Sequence, residues 1–242
     1  MVMEMDPKAY LADLIAKARV AQKEFETYPQ EKVDKAVRAI GKTIYDHAEE
    51  MAHMAVDETG MGNYASKIGK CQGKSKSTWW RIKDQKSRGI IERDEEHGIV
   101  KVAKPIGVIG CVAPTTNPVI TLMHNSMCSL KCGNAIVICP HPRARKTGVR
   151  TVELMNEALD KLGMPKNLIQ IIPNPSPELS SGLMSAVDFC ICTGGAGMVK
   201  VAYSSGKPAI GVGQGNVQVI IDRDVDLNNV AKMVITGRIF DN

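Results

Sequence analysis

Aromatic residues are scarce in this chain: three phenylalanines, two tryptophans and five tyrosines among 242 residues. Platforms for stacking the bases of single-stranded nucleic acid are therefore poorly supplied. The net charge of +5 is mild, and over the first ninety residues the cations are interleaved with acids. That pattern reads as solvated helix faces, and no nucleic-acid partner is expected. Long hydrophobic runs are missing too. Without about 18 consecutive uncharged apolar residues no membrane partner is expected. The N-terminal stretch carries Glu4 and Asp6 and has no apolar core, so a secretory signal is not expected and a cytoplasmic location is. No Cys-x-x-Cys pair occurs among the seven cysteines, and most sit inside apolar runs. They read as buried reduced thiols, with no metal site or disulfide framework.

What is present divides into two textures. Residues 6–87 read as helices. Leu11, Leu14, Ile15, Ala18 and Ala21 form one amphipathic stripe, and Val33, Val37, Ile40, Ile44, Ala48, Met51 and Ala55 form a second. Tyr28-Pro29 separates the two, Gly60 to Asn63 ends the second, and a third helix is expected over 64–86. Residues 89–104 look like two short strands about the charged turn Asp94-Glu95-Glu96-His97. From 105 to 242 short apolar runs alternate with helical ones. Strands are expected at 106–112, 135–139, 168–172, 189–192, 208–212 and 217–222, with helices between them and a last helix over 227–240. The predicted class is α/β: a Rossmann-like open parallel sheet with helices on both faces, preceded by an N-terminal helical segment and a small β-hairpin.

Three corners of this pattern could carry chemistry. Thr193-Gly194-Gly195-Ala196-Gly197 follows a strand and opens a helix. Glycine there lets backbone approach a ligand, but the same residues also make an ordinary tight turn. Pro140-His141-Pro142-Arg143-Ala144-Arg145-Lys146 places cations where a helix begins. It reads either as an anion site or as a solvated basic turn. Asn117, in Pro114-Thr115-Thr116-Asn117-Pro118, is either a plain Asn-Pro turn or a fixed amide donor.

Together with Ser205-Gly206-Lys207-Pro208, the glycines at 211, 213 and 215, and the closing Phe240-Asp241-Asn242, these corners resemble the aldehyde dehydrogenase superfamily. Within it they are similar to the CoA-acylating branch, typified by acetaldehyde dehydrogenases and the front half of bifunctional aldehyde–alcohol dehydrogenases. The resemblance implies the reversible reaction of an aldehyde with CoA and NAD+ or NADP+ to give acyl-CoA and reduced cofactor. It implies Asn117 as the donor to the oxyanion, a contact worth about 2.7–4 kcal/mol where such donors have been removed. It implies cofactor contacts from Thr115, Thr116, Pro140, His141, Pro142, Arg143, Thr193, Gly194, Gly195, Gly197, Val199, Gly211 and Gly213. His141-Pro142-Arg143 departs from the lysine and acid that the wider superfamily uses at the cofactor ribose, which leaves NAD and NADP both open.

Hydrolytic members use a glutamate on the segment here numbered 208–215, and this stretch contains no acid. Water then lacks a general base, whereas a thiol of pKa about 8.5 needs less help. The absence fits acyl transfer to CoA. By the resemblance the catalytic cysteine follows Phe-Asp-Asn by a few residues, and none of the seven cysteines takes its place. The whole chain, 1–242, therefore reads as the NAD(P)-binding domain without the catalytic domain. It is expected to bind dinucleotide weakly or not at all and to be inactive alone. The hairpin resembles the family's oligomerisation element, implying a homo-oligomer, and a bacterial microcompartment is a second implied location. Two other readings stay open: a non-catalytic nucleotide-binding or assembly fragment, and an acyl-phosphate reductase of the glutamyl phosphate type.

Overall fold

The computed structural model describes residues 6–241. Glu4 and Asn242, each part of a sequence reading above, lie outside them. Asp6 caps the first helix, α1 (Pro7–Glu26), accepting from the amides of Lys8 and Ala9, with Pro7 in the first turn. Its stripe of Leu11, Ile15, Ala18, Ala21 and Phe25 is buried. The second stripe was expected to be one helix and is two, α2 (Gln30–Asp46) and α3 (Ala48–Thr59). His47 leaves the helical basin at φ −99°, ψ 23°, and its Nδ1 lies 2.9 Å from the Thr43 carbonyl. The break consumes one residue, so Met51, Ala52 and Ala55 still face the core. Gly60, at φ 67°, closes α3, and Asn63 caps α4 (Tyr64–Ile82) through the Ser66 amide.

The hairpin pairs β1 (Gly89–Asp94) antiparallel with β2 (Ile99–Ala103) around a bulge, and most of it is exposed. Then come β3 (Val108–Val112), α5 (Ile120–Lys131), β4 (Ala135–Cys139), one 3-10 turn (Pro142–Ala144) and α6 (Arg145–Asp160). After these follow β5 (Ile169–Ile171), α7 (Pro177–Ala186), β6 (Phe189–Thr193), α8 (Ala196–Tyr203), β7 (Ala209–Val212) and α9 (Leu227–Arg238). The sheet is parallel throughout, in the order β5-β4-β3-β6-β7. Every residue of β3 and β4 is buried, as strands covered on both faces must be. α1 packs with α7 against β3 and β4, α5 and α6 contact the sheet as well, and α2 packs on α5 and α6. Front helices and sheet thus share a single core.

The strand expected at 217–222 is absent. Val217 and Ile220 are 79% and 95% exposed, and no described strand lies beside them. A strand is held by ladder bonds and a buried face, and this segment has neither. None of α9 is buried. No helix among the described residues is long and apolar enough to cross a membrane.

Strand order decides where a ligand can sit. The chain runs outward from β3 through β4 to β5, then returns to lay β6 on the other side of β3. This reversal opens a crevice beyond the carboxyl ends of β3 and β6. At the opposite end of those strands Asp188 takes a two-pronged bond from Arg19, 2.7 Å on each arm, and the Val108 amide at 2.8 Å. Burial alone would raise its pKa, but these donors hold it below the ordinary carboxylate value.

Candidate functional site

At the crevice lies a cleft of about 720 Å³. The end of β3 supplies Val112, Ala113, Pro114, Thr115, Thr116 and Asn117. The end of β4 supplies Pro140, His141, Pro142 and Arg143. The end of β6 supplies Thr193, Gly194 and Gly195, and the loop after β7 supplies Gly213, Gln214 and Gly215. The three corners singled out in the sequence are therefore brought to one site.

Asn117 is half-buried, and its amide nitrogen reaches only the Thr116 hydroxyl, at 3.5 Å. Its two N–H donors retain capacity for a ligand. The backbone just before it is held from below: Lys67 Nζ donates to the Thr116 carbonyl at 2.9 Å. Lys67 also lies 3.2 Å from the Asp241 carboxylate, and Lys70 lies 2.5 Å from it. Gly62 lets this arrangement close, because a Cβ there would stand 1.9 Å from the Asp241 carbonyl oxygen.

The β4 corner differs from its sequence reading in one respect. One of its two sequence readings had the start of α6 offer its dipole and cations to an anion together, the other being a solvated basic turn. Instead Glu58, from α3, accepts from the amides of Lys146 (2.8 Å) and Thr147 (2.7 Å) and from the Thr147 hydroxyl (2.7 Å). The helix end is occupied by a carboxylate of the protein itself, because α3 packs across it. His141 Nδ1 accepts from the Arg143 amide at 3.1 Å, which assigns the ring proton to Nε2. Burial, then the Arg143 charge, lowers the His141 pKa, so the imidazole is neutral near pH 7.

At the β6 corner Gly195 is the N-cap of α8 and brings no side-chain cap. Among the described residues no side chain claims the first amides of α8, as an anion-binding helix end requires. Gly197, Val199 and Gly211 fall outside the lining. A Cβ on Gly211 would meet Val199 Cγ1 at 2.6 Å and the Tyr203 ring at 2.9 Å, and Tyr203 OH accepts from the Gly211 amide at 3.0 Å. Val199 and Gly211 seat α8 on β7, and Gly197 lies exposed in the first turn of α8.

Met61, Ser180, Met198 and Gln214 also line the cleft and were not among the expected contacts. Met61 had a signal, being framed by Gly60 and Gly62, both of positive φ. Ser180 and Met198 had none. Among the described residues no aspartate or glutamate lines the cleft. All seven cysteines are free, and burial raises every thiol, to about 12 at Cys111 and about 11 at Cys71, Cys128 and Cys192. None is a thiolate near neutral pH, so none is an activated nucleophile.

The family model described as the aldehyde dehydrogenase family matches residues 3–242. Succinate-semialdehyde dehydrogenase (acetylating) from Clostridium kluyveri is 52% identical over 98% of this chain and 52% of its own length. The crystal structure of an acetylating aldehyde dehydrogenase from Geobacillus thermoglucosidasius superposes with a TM-score of 0.92 at 37% identity, over 97% of this chain and 52% of that one. A Rhodopseudomonas palustris propionaldehyde dehydrogenase, solved with bound CoA and an acylated cysteine, does so with a TM-score of 0.83 at 34% identity, over 96% and 53%. The chain spans about half the length of each of these.

Proposed function

The chain belongs to the aldehyde dehydrogenase family, in its CoA-acylating branch, and from that premise we propose that it forms the dinucleotide-binding half of an enzyme that converts an aldehyde, CoA and NAD(P)+ to acyl-CoA and NAD(P)H. The observation that carries this reading is the meeting of Asn117, the β4 corner and the uncapped start of α8 around one acid-free cleft. The start of α8 would hold the cofactor's pyrophosphate, since dipole and N–H groups there both favour an anion. The Asn117 amide, on the cleft wall, would donate to the oxygen that gains charge when a thiolate adds to the aldehyde. Gln214 stands on the segment where hydrolytic relatives carry their glutamate. Without a carboxylate there, water has no base and the thioester survives until CoA removes the acyl group. The thiolate is not one of the seven cysteines here, whose thiols are all protonated, so the chain alone turns nothing over. The Rhodopseudomonas palustris protein that it resembles holds bound CoA and an acylated cysteine, which supports CoA as the acyl acceptor. The exposed hairpin supports a homo-oligomer.

Two measurements test this. A pure sample of verified mass, given CoA, NAD(P)+ and a short aldehyde, is expected to produce no reduced cofactor. A steady CoA-dependent rate would overturn the assignment of the nucleophile elsewhere. The same sample is expected to bind reduced dinucleotide weakly, in the cleft. Gly195→Trp should abolish that binding without unfolding the chain: Gly195 has an ordinary φ of −68°, and a Cβ there meets nothing within 4 Å. Binding that survives the tryptophan unchanged would place the cofactor somewhere else.

A further inference from the structure

The face that α4 buries is polar along much of its length: Lys67, Cys71, Ser75 and Thr78. A helix face turned into a core is ordinarily apolar. The departure is greatest at Lys67, which is 4% exposed. An ammonium buried beside a carboxylate adds little stability, since apolar residues of similar volume often do as well or better. The role of Lys67 lies in what its amine touches. One contact is the Asp241 carboxylate, at 3.2 Å, which Lys70 also holds. The other is the Thr116 carbonyl, at 2.9 Å.

That carbonyl lies where the main chain has no other support. β3 stops at Val112, and the Ala113 amide makes the last bond to β4, reaching the Cys139 carbonyl at 3.0 Å. The next main-chain bond runs from the Thr121 amide to the Asn117 carbonyl, 3.2 Å, at the start of α5. Pro114 and Pro118 have no N–H to give. Among the described residues the main chain of Thr115 and Thr116 takes one hydrogen bond, and Lys67 donates it. The Asn117 side chain bonds only its neighbour, the Thr116 hydroxyl. An amide donor stabilises a developing charge only when it is already aimed, to within about 0.5 Å.

We propose that Lys67 is the positioning residue for Asn117: its amine tethers the Thr116–Asn117 peptide to α4, and Asp241 supplies the counter-charge that lets the amine stay buried there. This rests on the donor role proposed above for Asn117. Lys67 does not line the cleft and acts only through the corner that it holds.

The 242-residue protein is labelled with nitrogen-15, and NMR reads backbone order parameters and the Asn117 side-chain amide signals, identified by their loss in Asn117→Asp. In the parent the Thr115, Thr116 and Asn117 amides are expected near about 0.85, the rigid range, with one pair of Asn117 side-chain signals. Lys67→Met keeps the bulk and removes the donor. Order at these three residues should then fall below about 0.6, and the Asn117 pair should broaden or split. Combining Lys67→Met with Asp241→Asn removes both charges of the pair, so the double variant should melt close to the parent and still lose the order. Lys131→Met is the control: Lys131 is as deeply buried, paired with Asp34 at 2.5 Å, and lines no part of the cleft. Its loss should leave the corner rigid. A parent corner already below about 0.6, unchanged order in both Lys67 variants, or an equal loss of order in Lys131→Met would overturn the tether. These signals are read without cofactor, so they decide the tether separately from dinucleotide binding, whose failure would instead remove the cleft reading.

Discussion

Asp241 is 3% exposed, with Lys67 and Lys70 closed on its carboxylate. Two charged groups this deep, Asp241 and Lys67, are tolerable only because they are paired, and Lys67 spends a further N–H on the Thr116 carbonyl. The cluster ties the last described residue to α4 and to the loop that presents Asn117. Asp241→Ala leaves Lys67 buried beside a second lysine with no counter-charge, and the expected cost is about 3–5 kcal/mol. Urea unfolding checks this, and a loss below about 1 kcal/mol would show that the two lysines find other partners. None of it was legible in the sequence, where Lys70 and Asp241 are 171 residues apart. The Asn-Pro corner at Asn117 was visible as a local pattern between an apolar run and a helix, while a donor role for it came only from the family resemblance. What the residue's neighbours leave unbonded is decided by contacts made across the fold.

Elements followed the sequence where periodicity is local and departed from it where a neighbour decides. β4 runs over the expected 135–139, since five apolar residues bounded by Asn134 and Pro140 admit little else. The second amphipathic stripe hid the break at His47, because its spacing of three and four residues continues unbroken from Ile44 through Ala48 to Met51. The run at 217–222 has the composition of a strand and no ladder to join. At the head of α6 the cations were visible and the cap was not, since Glu58 arrives from α3. Glu58→Ala removes the acceptor for two backbone amides and one hydroxyl, and should cost about 1–2 kcal/mol, the upper range for a lost helix cap. Thermal melts of Glu58→Ala and Glu58→Gln check it. The glutamine keeps an acceptor oxygen and should recover part of the loss, while an alanine variant that melts with the parent would remove Glu58 from the list of caps.

At the scale of the whole molecule the surface is uneven. Ile90, Ile99, Val100 and Val102 of the hairpin are exposed, and so are Val217, Ile220, Leu227, Met233, Ile235 and Phe240 beyond β7. Apolar area left open in this way favours association. Light scattering is expected to show a mass that rises with concentration. Ile90 and Val102 are cross-strand partners, and replacing both with lysine should shift the sample towards the monomer. A parent protein that stays monomeric at high concentration, or a double variant that associates as before, would count against the hairpin as the contact. The sequence by itself determined the fold class, the alternation of strands and helices, the three corners and the absence of an acid from the 208–215 stretch, because each of these depends on neighbours along the chain. Only the tertiary structure decided which side of β3 receives β6, that α6 is capped by Glu58 while α8 is left open, and how far burial raises each thiol above its ordinary value. Those outcomes depend on desolvation and on partners far away in the chain, and local order carries no record of either.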